Sequence, residues 1–148
     1  MGAKAGWSER KKSAMRQVYF WRLICLVLIV FITWVTLTPD TEHLDGSGGI
    51  TKWLSALLFG SEEYSDKIGH FSAYAALGFC LLPGKLKLFN RSTIVLALLA
   101  IYGGGLELLQ NMSENREASI ADALANTLGL VLGSSVAFFF FKFFGRYL

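Results

Sequence analysis

Four long apolar blocks constrain this chain more than any other feature. They cover roughly residues 18–37, 68–82, 92–112 and 120–144 and carry few or no charges. A helix needs about 20 apolar residues to cross the hydrocarbon core of a membrane. No block alternates like a strand for long, and four strands do not close a barrel. The sequence therefore predicts an all-α, polytopic membrane protein with four transmembrane helices, the second of which begins before its apolar run, near Glu62.

The distribution of charge predicts how these helices are oriented. Residues 1–16 hold five bases and one acid, and further bases follow the second and fourth blocks. The loop after the first block holds six acids and one lysine. Since basic segments stay on the cytoplasmic side, both termini should be inside. A net charge of +3 placed in this way does not indicate nucleic acid. We expect a multi-pass protein of the cell (inner, cytoplasmic) membrane, with a basic tail at 1–16, one domain at 17–148 and its motifs within 62–144.

The acidic outer loop contains a short amphipathic segment. Its apolar residues recur at helical spacing, at Ile50, Trp53, Leu54, Leu57 and Leu58. The segment is too short to cross the bilayer, so we interpret it as an interfacial helix on the outer surface. A helix packed over the mouth of the bundle fits the same periodicity.

Two further features concern packing. Gly129 and Gly133 form a GxxxG pair, and we expect them to contact a neighbouring helix of the same chain. Cys25 and Cys80 lie inside apolar blocks, so we expect two inert buried thiols rather than a disulfide or a metal site.

Polar side chains are concentrated at the predicted outer ends of the helices. They lie in residues 66–74 at the start of the second span, at the end of the third, and around the start of the fourth. Helical spacing places Lys67, His70 and Tyr74 on one face, and it does the same for Ser119, Asp122 and Asn126. Ionisable groups are costly inside a membrane, so such a cluster indicates a functional site by default.

These residues carry a resemblance to a known family. The pattern D-K-x-x-H-F-x-x-Y runs from Asp66 to Tyr74, and E-x-x-Q joins Glu107 to Gln110. The pattern R-x-x-S-x-x-D-x-x-x-N-x-x-G runs from Arg116 to Gly129. Together and in this order they resemble the VanZ-like family of small membrane proteins. The resemblance implies a bacterial-type envelope protein, in a family whose founding member is linked to teicoplanin resistance.

The residues themselves suggest the chemistry of the cluster. Lys67, Arg116 and the N-terminus of the fourth helix suit an anionic group such as the phosphate of a lipid. His70 is the natural proton carrier near neutral pH, held by Asp66, Asp122 or Glu107. The candidate catalytic residues are His70, Asp122 and Glu107, and the candidate ligand-binding residues are Lys67, Arg116, Ser119, Gln110, Asn126, Asp66 and Tyr74. A metal at His70, Glu107 and Asp122 is chemically reasonable, but the mixed ligand set without tight spacing leads us to expect no metal and no cofactor.

Three classes of function remain open. The first binds or processes an anionic headgroup, from a membrane lipid or a lipid-linked cell-wall precursor, with a glycopeptide as a further candidate partner. The second is a non-enzymatic scaffold in which ion pairs only hold helices together, Ser119 caps its helix and Tyr74 packs. The third, a small transporter, is disfavoured because the inner halves of the spans are almost entirely apolar. No covalent nucleophile is identifiable, so the sequence leaves open whether the protein is an enzyme.

Overall fold

The computed structural model describes residues 2–38, 45–110, 112 and 119–144, with side chains at residue 9 and from residue 11 onward except at 45–48. Five α-helices follow one another: α1 (Gly2–Leu37), α2 (Asp45–Phe59), α3 (Ser65–Leu81), α4 (Ser92–Gln110) and α5 (Ile120–Phe144). A 3-10 turn at Glu62–Tyr64 leads from α2 into α3. The part of the chain that the structure describes is thus all-α, apart from one isolated antiparallel bridge between Leu88 and Arg91.

Within the described residues, three helices are long and apolar enough to cross a membrane. They are residues 11–37 of α1, all of α4 and all of α5. Helix α3, with 17 residues, is shorter than these. Large apolar side chains cover the outside of the bundle, for example Leu23, Val30 and Leu128, each more than half exposed. This surface is suited to lipid and not to water.

The predicted helix boundaries agree closely with the observed ones, with two differences. Helix α3 begins at Ser65, so the segment with Asp66, Lys67 and His70 belongs to its first turns. Helix α1 begins at Gly2 and passes unbroken through residue 16. The division between a basic tail and the membrane domain therefore rests on charge alone and stays a prediction.

Contacts between the helices define the two ends of the bundle. At one end the Nε of Arg22 in α1 donates a hydrogen bond to the carbonyl of Gly84, just after α3. We call this the basic end, because Lys85, Lys87 and Arg91 belong to the same loop. Midway along the bundle, the hydroxyls of Thr33 in α1 and Tyr102 in α4 are hydrogen-bonded. At the other end, which we call the polar end, α3 and α5 begin and α1 and α4 finish.

Helices α3 and α5 form the closest pair, running in the same direction. A Cβ added to Gly129 would collide with the backbone carbonyl oxygen of Phe71, and one added to Gly133 would collide with that of Ala75. Gly78 of α3 lies just as close to the backbone of Leu130. The side chain of Ser134 also donates a hydrogen bond of 3.1 Å to the carbonyl of Gly78. The intramolecular contact predicted for Gly129 and Gly133 is confirmed.

Helix α2 lies against α3 and the 3-10 turn before it, and its buried residue, which bonds to that turn, is polar. Ser55 is completely buried, and its hydroxyl donates to the carbonyl of Ser61 at 2.5 Å and accepts from the amide of Tyr64 at 3.2 Å. The apolar stripe faces away from the bundle, and its members Ile50, Trp53, Leu57 and Leu58 are 62–67% exposed. Helix α2 ends at Gly60, whose φ of +71° is the left-handed conformation common after a helix.

The core between α1, α3, α4 and α5 is apolar toward the basic end. Cys25 of α1 and Cys80 of α3 are buried and free. Leu77, Leu130 and Ala137 are also buried. Besides the hydrogen bonds of Arg22 and Ser134, apolar packing holds the helices of this half together.

Candidate functional site

Three helices contribute one side chain each to a buried hydrogen-bonded set at the polar end. The Nδ1 of His70 in α3 lies 3.1 Å from the Oδ1 of Asn126 in α5. The Nδ2 of Asn126 donates to the Oε1 of Glu107 in α4 at 3.1 Å. The same oxygen lies 3.5 Å from His70 Nδ1. We call His70, Glu107 and Asn126 the inner set.

The inner set is shielded from solvent. Asn126 and Glu107 are 1% and 3% exposed, and the side chain of His70 is 18% exposed. Since an unpaired polar group in such surroundings is costly, the hydrogen bonds within the set stabilise its members. Of the three carboxylates that the sequence offered as partners for His70, the structure places Glu107 beside it.

An ion pair lies next to the inner set, one helical turn toward the bundle surface. The Nζ of Lys67 in α3 is 3.5 Å from the Oδ1 of Asp122 in α5. Their side chains are 35% and 14% exposed, so the lysine is the more accessible partner. Asp122 Oδ1 is buried and, within the described residues, has no hydrogen-bond partner. Lys67 approaches it as a charge and does not form a hydrogen bond.

Ser119 is the N-cap of α5. Its hydroxyl accepts a hydrogen bond from the amide of Asp122 at 3.3 Å, and its carbonyl accepts from the amides of Asp122 and Ala123. This is the capping role that the sequence offered as one alternative for Ser119. The cap fixes where α5 begins and thereby sets Asp122 and Asn126 one turn apart on the side facing α3.

Tyr74 extends the polar face of α3 toward the middle of the bundle. It is 1% exposed, and its ring lies against Gly103 of α4, where a Cβ would come within 2.9 Å of the phenolic oxygen. Gly103 therefore makes room for the ring. Unlike the usual buried tyrosine, its hydroxyl has no hydrogen-bond partner among the described residues.

The remaining candidates occupy different positions. Gln110 is buried one turn beyond Glu107 at the end of α4. Asp66 is exposed and is not part of the inner set. Arg116 lies outside the described residues, so its proposed role stays a prediction.

The sequence was also compared with known proteins. The sequence model of the VanZ/LLP1 family matches residues 20–142. The chain belongs to the VanZ/LLP1 family. The matched region runs from the apolar part of α1 almost to the end of α5 and contains every motif residue named above. No significant match was found among curated proteins or among solved structures. Family membership and the three long apolar helices identify a membrane protein of VanZ type.

The buried polar residues of this VanZ/LLP1 protein all lie toward the polar end. Among the described residues they are Thr36, Ser55, Glu107, Gln110 and Asn126. Sequence reasoning did not single out Thr36 or Ser55. The sequence signal for Ser55 was its position opposite the apolar stripe of the amphipathic helix α2. Toward the basic end, the buried residues are apolar.

The arrangement provides two kinds of chemistry. It holds an imidazole in a fixed orientation between an amide and a carboxylate, as acid–base sites do. It also brings ligand atoms of His70, Glu107 and Asp122 within 4.8 Å of one another, which is close enough for a shared metal ion. The accessible ammonium of Lys67 and the N-terminus of α5 lie beside the imidazole and the possible metal ligands.

Proposed function

We propose that this VanZ/LLP1 protein binds an anionic lipid headgroup at the polar end of its helix bundle. The headgroup is the phosphate of a phospholipid or of a lipid-linked cell-wall precursor. The observation that carries the proposal is the half-exposed Lys67 ammonium beside the N-terminus of a 25-residue helix. Both features attract phosphate oxygens.

The membrane arrangement that we propose has four spans with both termini in the cytoplasm. The basic end carries the lysines and arginine of the α3–α4 loop, and the polar end adjoins the acidic segment before α3. By the positive-inside rule the polar end then faces outward. The exposed apolar stripe of α2 supports an interfacial position for this helix, because it would otherwise face water. These features would place Lys67 at the depth of outer-leaflet headgroups.

Arg116 would supply a second cation to the same headgroup. The sequence places it three residues before the cap of α5, and a guanidinium binds phosphate through two parallel hydrogen bonds. An approaching phosphate would compete with Asp122 for the ammonium of Lys67 and weaken that ion pair. The role in glycopeptide resistance that the family resemblance implies would follow if the bound lipid were a cell-wall precursor. The bound precursor and the glycopeptide would then meet at the outer surface.

The test is lipid analysis of the full-length protein after gentle purification. We expect anionic lipid to co-purify with the wild type and to fall at least severalfold in the variants Lys67→Gln and Arg116→Ala. The matched control is Lys87→Gln, which removes the same charge at the basic end and should leave the lipid content unchanged. Mass spectrometry of the bound lipid distinguishes a phospholipid from a polyprenyl-linked precursor, and turnover of the identified lipid would show whether the protein is an enzyme.

The alternative function is a scaffold, favoured by one specific observation. The inner set links α3, α4 and α5 through hydrogen bonds without needing any ligand. A scaffold predicts equal bulk lipid in all four proteins, with Lys67→Gln only less stable to heat. That result would overturn the headgroup proposal. Transport is not supported, because the described buried polar residues do not continue toward the basic end.

A further inference from the structure

The side chains of His70, Glu107 and Asp122 offer metal-ligand atoms that share one small space. One nitrogen or oxygen from each lies within 4.8 Å of the other two. The residues come from three different helices and are separated by at least 15 positions in the sequence. The spacing along the chain therefore gives no hint of a metal site, whereas the packing of α3, α4 and α5 assembles one.

The separation between His70 and Glu107 suits a tetrahedral ion. Zinc bonds of about 2.0–2.1 Å to nitrogen and oxygen place neighbouring ligands about 3.3–3.5 Å apart. His70 Nδ1 and Glu107 Oε1 are 3.5 Å apart. A hydrogen bond between the same two atoms would typically be shorter, near 2.9 Å.

A second, independent observation points to a ligand at this position. Asp122 Oδ1 is buried and has no hydrogen bond within the described part of the chain. Native proteins seldom leave a buried carboxylate oxygen in this state unless a water, an ion or a ligand completes it. Lys67 at 3.5 Å balances its charge but leaves its acceptor capacity unused.

Asn126 would orient the carboxylate ligand, because its Nδ2 donates to Glu107 Oε1 at 3.1 Å. Hydrogen bonds of this kind to a ligating carboxylate are a regular feature of metal sites. Its Oδ1 accepts the proton of His70 Nδ1 in the metal-free protein, so an ion bound at Nδ1 would replace that proton and release it to solvent. The same Oδ1 is an additional oxygen donor at 3.1 Å from the imidazole nitrogen.

We propose that His70 Nδ1 and the carboxylates of Glu107 and Asp122 bind a divalent transition-metal ion such as Zn²⁺ or Mn²⁺. One imidazole with two carboxylates is a borderline ligand set that suits these ions better than Ca²⁺. Three protein ligands leave a coordination position open. If the proposed function holds, that position faces the headgroup phosphate; the metal site itself does not depend on it.

The test measures binding of the metal alone to the full-length protein in detergent. After removal of metal with EDTA, the protein is titrated calorimetrically with ZnCl₂ and, separately, with MnCl₂. We expect one ion per chain in the wild type and at least a tenfold loss of affinity in Asp122→Asn and His70→Gln. Glu63→Gln is the matched control, since it removes an exposed acid just before α3 and should bind like the wild type.

A second measurement uses the wild-type protein, so that the proposal can be tested even if the variants do not fold. Wild-type protein is treated with diethyl pyrocarbonate with and without Zn²⁺, and modification is read at His70 by mass spectrometry, with His43 as the internal reference. We expect Zn²⁺ to reduce modification of His70 relative to His43. No binding of either ion by the wild type, unchanged affinity in a folded Asp122→Asn, or equal modification of His70 with and without Zn²⁺ would overturn the proposal. Lipid co-purification is measured on both the metal-stripped and the metal-reloaded protein. Its result therefore tests the headgroup proposal independently of the metal-binding result.

Discussion

Asn126 is the residue through which the three helices of the polar end are connected. It is 1% exposed and bonds to His70 with its carbonyl oxygen and to Glu107 with its amide nitrogen. Both atoms of one side chain are therefore used between helices. A carboxylate at this position only accepts hydrogen bonds, so it could not make both contacts.

Replacing Asn126 by alanine should destabilise the protein. The substitution leaves Glu107 and His70 without a shared partner, and unsatisfied buried polar groups cost about 1–3 kcal/mol. An average hydrogen bond between membrane helices contributes only about 0.6 kcal/mol, so we expect a loss of about 1 kcal/mol in the free energy of unfolding. The measurement is unfolding of purified protein in mixed detergent, with Thr127→Ala as control because Thr127 bonds only within its own helix. Equal stability of Asn126→Ala and the wild type would mean that the inner set does not hold the helices.

Ser119 shows how one residue type supports two interpretations. From the sequence, its hydroxyl suited either a helix cap or a ligand. The structure shows the cap, since the amide of Asp122 donates to it. A ligand at this position would bind beside a hydroxyl that already accepts one hydrogen bond, and that hydroxyl can still donate its own.

At the scale of elements, the contact of α5 with α3 determines where the candidate residues meet. Glycines at 129 and 133 allow the backbones to touch, and this close approach brings His70 within hydrogen-bond distance of Asn126. Small residues promote such contacts between membrane helices because the gain there comes from packing. The positions of the polar side chains thus depend on residues that carry no chemistry.

Gly129→Ala should weaken this contact, whereas Gly104→Ala should not. The new methyl group at 129 would meet the backbone of α3, which cannot rotate away, and overpacking typically costs about 1–3 kcal/mol. A Cβ at Gly104 meets nothing within 4 Å, and alanine is the better helix former. Relative to the wild type, the thermal unfolding temperature should therefore be lower in Gly129→Ala and equal or higher in Gly104→Ala. A similar loss in both would contradict the observed packing.

Helix α2 buries its polar side and exposes most of its apolar stripe. Its fully buried residue is a serine, while Trp53, Leu57 and Leu58 are exposed and Leu54 is half-buried. A helix covering the mouth of a water-soluble bundle would do the reverse. Its stripe is continuous with the apolar exterior of a membrane protein, which is the basis of the interfacial position proposed for it.

For the whole molecule, the testable property is its orientation in the membrane. On a background with Cys25 and Cys80 replaced by serine, a cysteine at Met112 lies at the polar end and one at Lys87 at the basic end; both positions are exposed. We expect an impermeant thiol reagent to label Met112→Cys in intact cells and Lys87→Cys only after the cells are opened. Labelling of Lys87→Cys alone in intact cells would reverse the orientation and remove the outer-leaflet headgroup proposal with it.

The sequence determined the class of protein and most helix boundaries. Apolar blocks of about 20 residues leave few choices in a membrane, because backbone groups must be satisfied within each helix. The last span was therefore predicted with the bounds that α5 has, and the motif order indicated the family that the comparison confirmed. Helical spacing also showed which residues share a face, since that periodicity is a local property.

Tertiary structure alone decided which partners these faces meet. The sequence offered Asp66, Asp122 and Glu107 equally as neighbours of His70, and the crossing of α3, α4 and α5 selected Glu107 together with Asn126. Three further features are likewise consequences of how close the backbones come: the burial of Ser55, the lack of a hydrogen bond at Asp122 Oδ1 within the described residues, and the grouping of three possible metal ligands. That distance depends on interlocking surfaces of several helices at once, which no periodicity along a single helix contains.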